Sequence, residues 1–435
     1  MSFAKAVSRT FISQVASAGM LLLVGILTAR VLGPELRGMY SLFFTTVGFM
    51  LCFTGFGLSQ ANVYFLNQNE SAGHLGGNSG LMIVIQSCIL IASLLAGRYV
   101  FDFKFLASID VVTFFLLCTC GVIVVSDFVI SGIVLGSHEY GLYNNNLVMQ
   151  AGFILTVTLV SFALPKDGFC AILLRVIAVA AVFLWFLFSA FRRIDLPDLS
   201  INYPLLGRQL RFGMKNFFQN LIGLLNYKMY LFLLDSFVNR SAVGIFSVAL
   251  LFVEILRFIP NAVGTVLFPK LTTIDDESER SVLTARICRN TLFISVPILI
   301  GIAAMVTPVI TFAFKKDYSG AVPIVCIMLP GALCGTLYQI LTRYFSSRHQ
   351  QHFSIISGIS ALLVAGTTSY LTIPIWGVKG AAIGFLCCNI CLGLLMVVFF
   401  CAKTRLSPVK VLLIDSGDMQ LLKSIIRERL KGPSS

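Results

Sequence analysis

The chain has 435 residues, 57% of them hydrophobic and 12% charged, with a formal net charge of +13. So few polar groups cannot cover a soluble globule of this length, which excludes an ordinary water-soluble domain. The positive excess lies in loops between apolar stretches, so it reports membrane topology and does not imply nucleic acid.

Stretches long enough to cross about 30 Å of hydrocarbon recur along the whole sequence. They fall at 10–32, 38–66, 76–98, 110–136, 144–164, 169–191, 212–238, 241–268, 286–313, 321–346, 351–373 and 378–402. This predicts an all-α, polytopic membrane protein with twelve transmembrane helices in two six-helix lobes. The first stretch follows Lys5 and Arg9 and could mimic a signal peptide, but the spans behind it argue that it is retained. The N-terminal lobe is read as 1–191 and the C-terminal lobe as 212–402. A polar, proline-bearing linker joins them at 192–211, and a tail follows at 403–435. Arg192, Arg193, Arg208 and Arg211 of the linker, with Lys403, Arg405 and Lys410 of the tail, dominate the loop charge. By the positive-inside rule both termini are cytoplasmic.

Smaller features follow the same order. The loop from Pro269 to Arg286 is acidic then basic and is read as a short surface helix. LLKSIIRERL in the tail has helical apolar spacing, which suggests an amphipathic helix drawn to anionic membrane lipid, or else a solvated tail. The 12 cysteines lie mostly inside spans, where a thiol behaves as a small apolar group. Cys388 and Cys391 have metal-like spacing but no further ligands, and His349 and His352 sit in a polar loop, so no metal or cofactor is expected.

An internal echo runs through the chain at an offset of 206 residues. Gly38 falls on Gly244, Tyr40 on Phe246, Ser41 on Ser247 and Val47 on Val253. Thr10, Ser13, Gln14 and Ser17 fall on Asn216, Gln219, Asn220 and Gly223. Two similar halves in one helical bundle are the plan of many secondary transporters, with the substrate path between the halves. At 100° per residue, Asn216, Gln219, Asn220, Gly223, Asn226, Tyr227 and Tyr230 share one arc of about 120°. Amides and tyrosines are large for a packing seam, which favours a wet cavity lined by spans 1, 2, 7 and 8. Small residues from Ser41 to Asn62 form a second stripe, better suited to close helix packing.

Charges within spans need a reason, since a Lys or Arg at a helix centre costs about 2.5–3.5 kcal/mol on insertion scales. Glu254 and Arg257 stand one turn apart with Asn261 on the same face, either as a locally neutral pair or with Arg257 turned to a cavity. Lys228 lies off the amide arc, where it could contact substrate or a lateral partner such as Asp127. Arg175 and Arg343 lie near span ends and can snorkel, although Arg343 is kept as a candidate substrate contact. The candidate substrate-binding residues are therefore Arg257, Lys228, Asn220, Tyr227, Tyr230 and Arg343. Asp127 and Glu254 are the carboxylates well inside spans, and they are the candidates for ion coupling.

The segment from Thr28, TARVLGPELRGMYSLFFTTVGF, is similar to the first-loop signature of polysaccharide flippases, with Arg30, Leu32, Gly33, Pro34, Gly38 and Tyr40 in register. IPIWGVKGAAIGF from Ile373 resembles their signature at spans 11 to 12 through Pro374, Gly377, Gly380, Ala381 and Ala382. The chain thus resembles the Wzx-type O-antigen flippases of the multidrug/oligosaccharidyl-lipid/polysaccharide exporter superfamily over its whole length. Many relatives pair a basic and an acidic residue in span 7; here Lys228 has no carboxylate near it in sequence until Asp235. The resemblance implies transfer of an oligosaccharide on undecaprenyl pyrophosphate across a bacterial inner membrane, alongside polysaccharide polymerase machinery. It implies no enzymatic turnover, and no large extramembrane loop here offers a catalytic site. Relatives that export drugs by cation coupling, or that flip lipid II, are the competing readings. The former typically need a carboxylate in the first lobe, and the latter usually carry two additional spans.

Overall fold

The computed structural model describes residues 3–161, 167–194, 199–274, 276–348 and 350–413. Side chains are described from Arg9 onward, without those of 215, 216, 265, 266, 268, 269, 272 and 273. Among the described residues the protein is 90% helical and has no strand. The helices are α1 (Phe3–Thr54), α2 (Leu58–Leu66), α3 (Ala72–Tyr99), α4 (Lys104–Ser108), α5 (Val111–Gly136), α6 (Tyr140–Val160) and α7 (Gly168–Arg193). They continue with α8 (Tyr203–Phe237), α9 (Arg240–Thr273), α10 (Glu277–Val309), α11 (Ala321–Ser347), α12 (His352–Trp376), α13 (Val378–Thr404) and α14 (Pro408–Leu412). Counting the two arms of α1, twelve of these are long, matching the twelve spans read from sequence.

Local chemistry sets the joints. α1 holds two spans because Gly33 adopts φ 73°, ψ 175° and Pro34 follows it, removing a donor where the helix folds back. The second span is not continuous to residue 66 as its apolar run suggests. It stops at Thr54, passes through Phe56 and Gly57 at positive φ, and resumes as α2. Gly57 is required there, since a methyl group on it would lie 2.3 Å from the Gly213 carbonyl oxygen of α8. The predicted surface helix after Pro269 is likewise absent. α9 runs on to Thr273 and α10 starts at Glu277, with Asp276 accepting from the Ser278 and Glu279 amides. The proposed tail helix and His349 lie outside the described residues, apart from the short α14.

The chain forms two compact units, 1–248 with 310–320 and 249–309 with 321–435. In the first, a buried amide network ties the start of α8 to α2 and α3. Gln209 donates to Asn62 (2.7 Å), Asn62 to Ser79 (2.9 Å) and Asn78 to Gln209 (2.9 Å). Asn78 also brackets Asn202, accepting from its amide at 2.9 Å and donating to its carbonyl at 3.1 Å, while the Asn202 side chain caps α8. Asn62, Asn78 and Gln209 are all 0% exposed. Gln209→Leu is therefore expected to strand two buried amides and to cost about 1–3 kcal/mol each. Thermal unfolding of the purified protein should show a clear drop. Removing the exposed Arg208–Glu70 pair (2.8 Å) should change it little, because such pairs contribute about 0–1 kcal/mol.

The second unit packs α11, α12 and α13 through small residues. A methyl on Gly393 would lie 2.6 Å from the Cys334 carbonyl, and one on Gly380 would lie 2.3 Å from that of Thr372. The Ile373 signature is thus a hairpin joint, with Gly377 at φ 55° and Ala381 and Ala382 wholly buried. Leu267, Leu341, Tyr344, Phe345, Met396 and Phe400 form its core, and the Tyr344 hydroxyl donates to Glu277 at 2.7 Å.

Candidate functional site

The two copies of the repeat meet inside the first unit, and they meet reciprocally. A methyl group on Gly38 would lie 1.9 Å from the carbonyl oxygen of Arg240, and one on Gly244 would lie 1.9 Å from that of Pro34. Arg240 is the repeat equivalent of Pro34, as Gly244 is of Gly38. Each glycine thus receives the backbone that the other repeat offers at the equivalent position, the hallmark of a two-fold contact between like surfaces. Only a residue without Cβ permits that approach.

Around this contact sit two arginines held by hydroxyl groups. Arg37 is 7% exposed and donates to the Thr28 hydroxyl and, at 3.3 Å, to Ser247 Oγ, the echo of Ser41. Arg175 on α7 donates to the Tyr40 hydroxyl at 2.6 Å, and its guanidinium carbon lies 3.9 Å from the Phe44 ring centroid and 5.3 Å from that of Tyr40. Among the described residues it has no carboxylate at ion-pair distance, and its Nε is buried without a hydrogen-bond partner. Tyr318 donates to the Ala29 carbonyl at 3.0 Å and fastens the 310–320 segment to α1. Burial raises the Tyr318 pKa, against the opposing pull of Arg37, and keeps the hydroxyl a donor.

The predicted residues divide between the units. Asn220, Tyr227, Lys228, Tyr230 and Asp127 belong to the first, and Glu254, Arg257 and Arg343 to the second. Along the α8 arc, Asn220 and Gly223 are exposed and Gln219 and Tyr227 half-buried, whereas Asn226 is 5% and Tyr230 0% exposed. The stripe is therefore open toward its start and closed toward Phe237, where Tyr230 packs 5.8 Å from the Phe246 ring. The side chain of Asn216 lies outside the described residues. Asp127 accepts from Asn146 at 3.0 Å, and that amide, not Lys228, is its partner. Asp235 is 3% exposed, with Lys104 and Arg240 as its neighbouring charges.

In the second unit, Glu254 and Arg257 are both half-buried on α9. Arg257 is within electrostatic reach of Tyr338 on α11. One step along the same two helices, a methyl on Gly264 would lie 3.1 Å from Arg343 Nε, so the exposed Arg343 lies across α9. The structure thus brings Arg257 and Arg343 onto one helix pair. Sequence reasoning undervalued Arg37 and Arg175. The available signal was an arginine in or beside an apolar run with tyrosine and phenylalanine in the signature, but the α1–α7 pairing that unites them is tertiary. Among the described residues no three His, Cys, Asp or Glu side chains gather to hold a metal ion.

Residues 27–323 match a family described as "Polysaccharide biosynthesis protein". No curated protein matches the sequence. Among solved structures, an inward-facing multidrug resistance MATE family transporter of the MOP superfamily aligns with TM-score 0.72 at 14% identity, over 92% of this chain and 98% of that one. The lipid II flippase MurJ, in an inward closed conformation, aligns with TM-score 0.72 at 15% identity, over 98% and 93%. A MOP superfamily transporter from Pyrococcus furiosus aligns with TM-score 0.60 at 16% identity, over 92% and 96%. At these identities the likeness is one of fold, and it is a fold of membrane transporters and flippases.

Proposed function

Because the chain belongs to the polysaccharide biosynthesis protein family, we propose that it is a flippase for an oligosaccharide carried on undecaprenyl pyrophosphate. In this reading it sits in a bacterial inner membrane with both termini in the cytoplasm, and it moves the head group to the far side. It acts as a carrier, not as an enzyme, and hands its cargo to polymerase machinery. The observation that carries the reading is the intramembrane guanidinium chemistry. Arg175 is held by a hydroxyl and two rings, so its charge is not cancelled by a carboxylate among the described residues. Planar guanidinium groups recognise phosphate oxygens in pairs. The amides and tyrosine of the α8 stripe supply hydrogen bonds suited to sugars, and a lipid tail can stay in the bilayer.

Access alternates as lobes 1–191 and 212–402 rock. The Gly38–Gly244 contact is the closed far end of the path, and the exposed start of the α8 stripe is its open end. A cation-coupled drug exporter is the second reading. Asp127 favours it to a degree, as a carboxylate inside a span of the first lobe with an amide for a partner.

The test is transfer of a fluorescent lipid-linked oligosaccharide in proteoliposomes, with and without an imposed proton or sodium gradient. Wild type is expected to translocate it. If a gradient accelerates the step, Asp127→Asn or Glu254→Gln should abolish the acceleration. Absence of transfer of the oligosaccharide, together with efflux of a cationic dye, would replace this reading with the exporter. Gradient-driven transfer that persists in both single variants and in their combination would remove these carboxylates from the coupling.

A further inference from the structure

A cavity of about 470 Å³ opens where α1 folds back at Gly33, apart from the intramembrane arginines. Its walls include Glu35 of α1, Lys104 and Ser108 of α4, Asp235 at the end of α8, and Asn239 and Arg240 at the start of α9. The volume falls within the range of about 300–1,000 Å³ usual for small-ligand sites.

The charges around it sum to zero, and hydrogen bonds hold its two cations. Lys104 Nζ donates to the backbone carbonyls of Asp235 (2.5 Å) and Ser236 (3.4 Å), and the Arg240 guanidinium donates to Ser108 Oγ. The Asp235 side chain lines the cavity on a residue 3% exposed, with Lys104 and Arg240 as its charged neighbours. A carboxylate facing a cavity has lone pairs to spare for donors that enter it. A small anion entering would meet Glu35 and Asp235, and a small cation would meet Lys104 and Arg240. A neutral molecule that carries many donors and acceptors together satisfies both sets at once, and hydroxyl donors to a carboxylate make charge-assisted bonds.

We propose that this cavity binds a neutral saccharide unit, with Asp235 as the acceptor for its hydroxyls and Asn239 and Arg240 as donors to its oxygens. The choice of a sugar over other neutral hydroxyl-rich molecules rests on the carrier reading above. The site is built from α4 and from the junction of α8 and α9, between the spans read from sequence, so it would hold sugars of the cargo outside hydrocarbon while the lipid moves.

Saturation-transfer NMR on the full chain in nanodiscs tests this. The neutral probes are maltose and N,N′-diacetylchitobiose, against glucose 1-phosphate and glycine betaine. The neutral disaccharides are expected to bind, with affinity reduced at least tenfold in Asp235→Asn and abolished in Ser108→Trp, whose exposed position tolerates a bulky side chain that fills the cavity. No signal from either neutral sugar would overturn the site. So would stronger signals from the phosphate or the betaine, or wild-type binding in both variants. Lipid-linked oligosaccharide transfer is measured in parallel. Transfer without soluble-sugar binding overturns the site and leaves the flippase reading intact, whereas binding that these variants remove supports the site even if transfer fails.

Discussion

Gly244→Leu is expected to abolish export while the protein still inserts into the membrane. The obstacle at this position is backbone: an added Cβ would lie 1.9 Å from the Pro34 oxygen and 2.7 Å from its carbonyl carbon. No flexible side-chain end is there to give way, so the helices themselves must part. Overpacking in a tight core typically costs about 1–3 kcal/mol, and a full isobutyl group between two backbones should exceed that range. Gly38→Leu should behave in the same way, because its Cβ would meet Arg240 as closely. Gly301→Leu on α10, away from the α8 stripe, is the control, since nothing lies within 4 Å of an added Cβ there. The readouts are surface polysaccharide in a flippase-null strain and alkylation of Ser241→Cys by a membrane-impermeant maleimide. Both wedge variants should lose the polysaccharide and speed the alkylation, and the control should do neither. Normal export with Gly244→Leu at wild-type protein level would mean that the glycine contact does not gate the path.

The repeat that leads to this prediction is legible in the sequence, but its consequence is not. Equivalence of Gly38 and Gly244 follows from a constant offset, whereas their mutual approach depends on α1 turning back at Gly33 and on the start of α9 packing against that turn. Span number and helical class were open to reading because apolar length alone fixes them in a bilayer. The break at Phe56 and Gly57 was not, since the apolar run continues through it and the reason for the kink is Gly213, more than 150 residues away.

The candidate site shows the same division. The amide arc on α8 is a property of one helix, so 3.6-residue periodicity reveals it. Which part of that arc is open depends on neighbours, and Tyr230 is closed off by Phe246, which no periodicity announces. Asn62, Asn78 and Gln209 each look like stray amides in their own spans. They make sense only as a closed network, in which a protein donor or acceptor replaces the water each would otherwise require.

Loss of the positive charge at Arg175 is expected to be as damaging to export as the wedge, for a different reason. The side chain sits inside a span toward one end, where a cation costs less than the ~2.5–3.5 kcal/mol of a helix centre but still needs a reason. Its partners are a tyrosine hydroxyl and two rings, which orient the guanidinium without cancelling its charge. If that charge meets a phosphate in transit, Arg175→Gln removes a charged hydrogen bond worth about 1.5–3 kcal/mol. The transfer rate should then fall roughly ten- to a hundredfold. Arg257→Ala in the second unit should produce a loss of similar size if its charge also meets the cargo. Arg175→Lys separates charge from stacking: it keeps the cation, gives up the planar fit to Phe44, and should retain intermediate transfer. Thermal unfolding distinguishes a positioning role in the fold from a role toward cargo. Arg175→Gln that melts with wild type and fails to transfer supports contact with the phosphate. Arg175→Gln with full transfer, at any melting temperature, would move the anion path away from α7 and leave Arg257 and Arg343 to carry it.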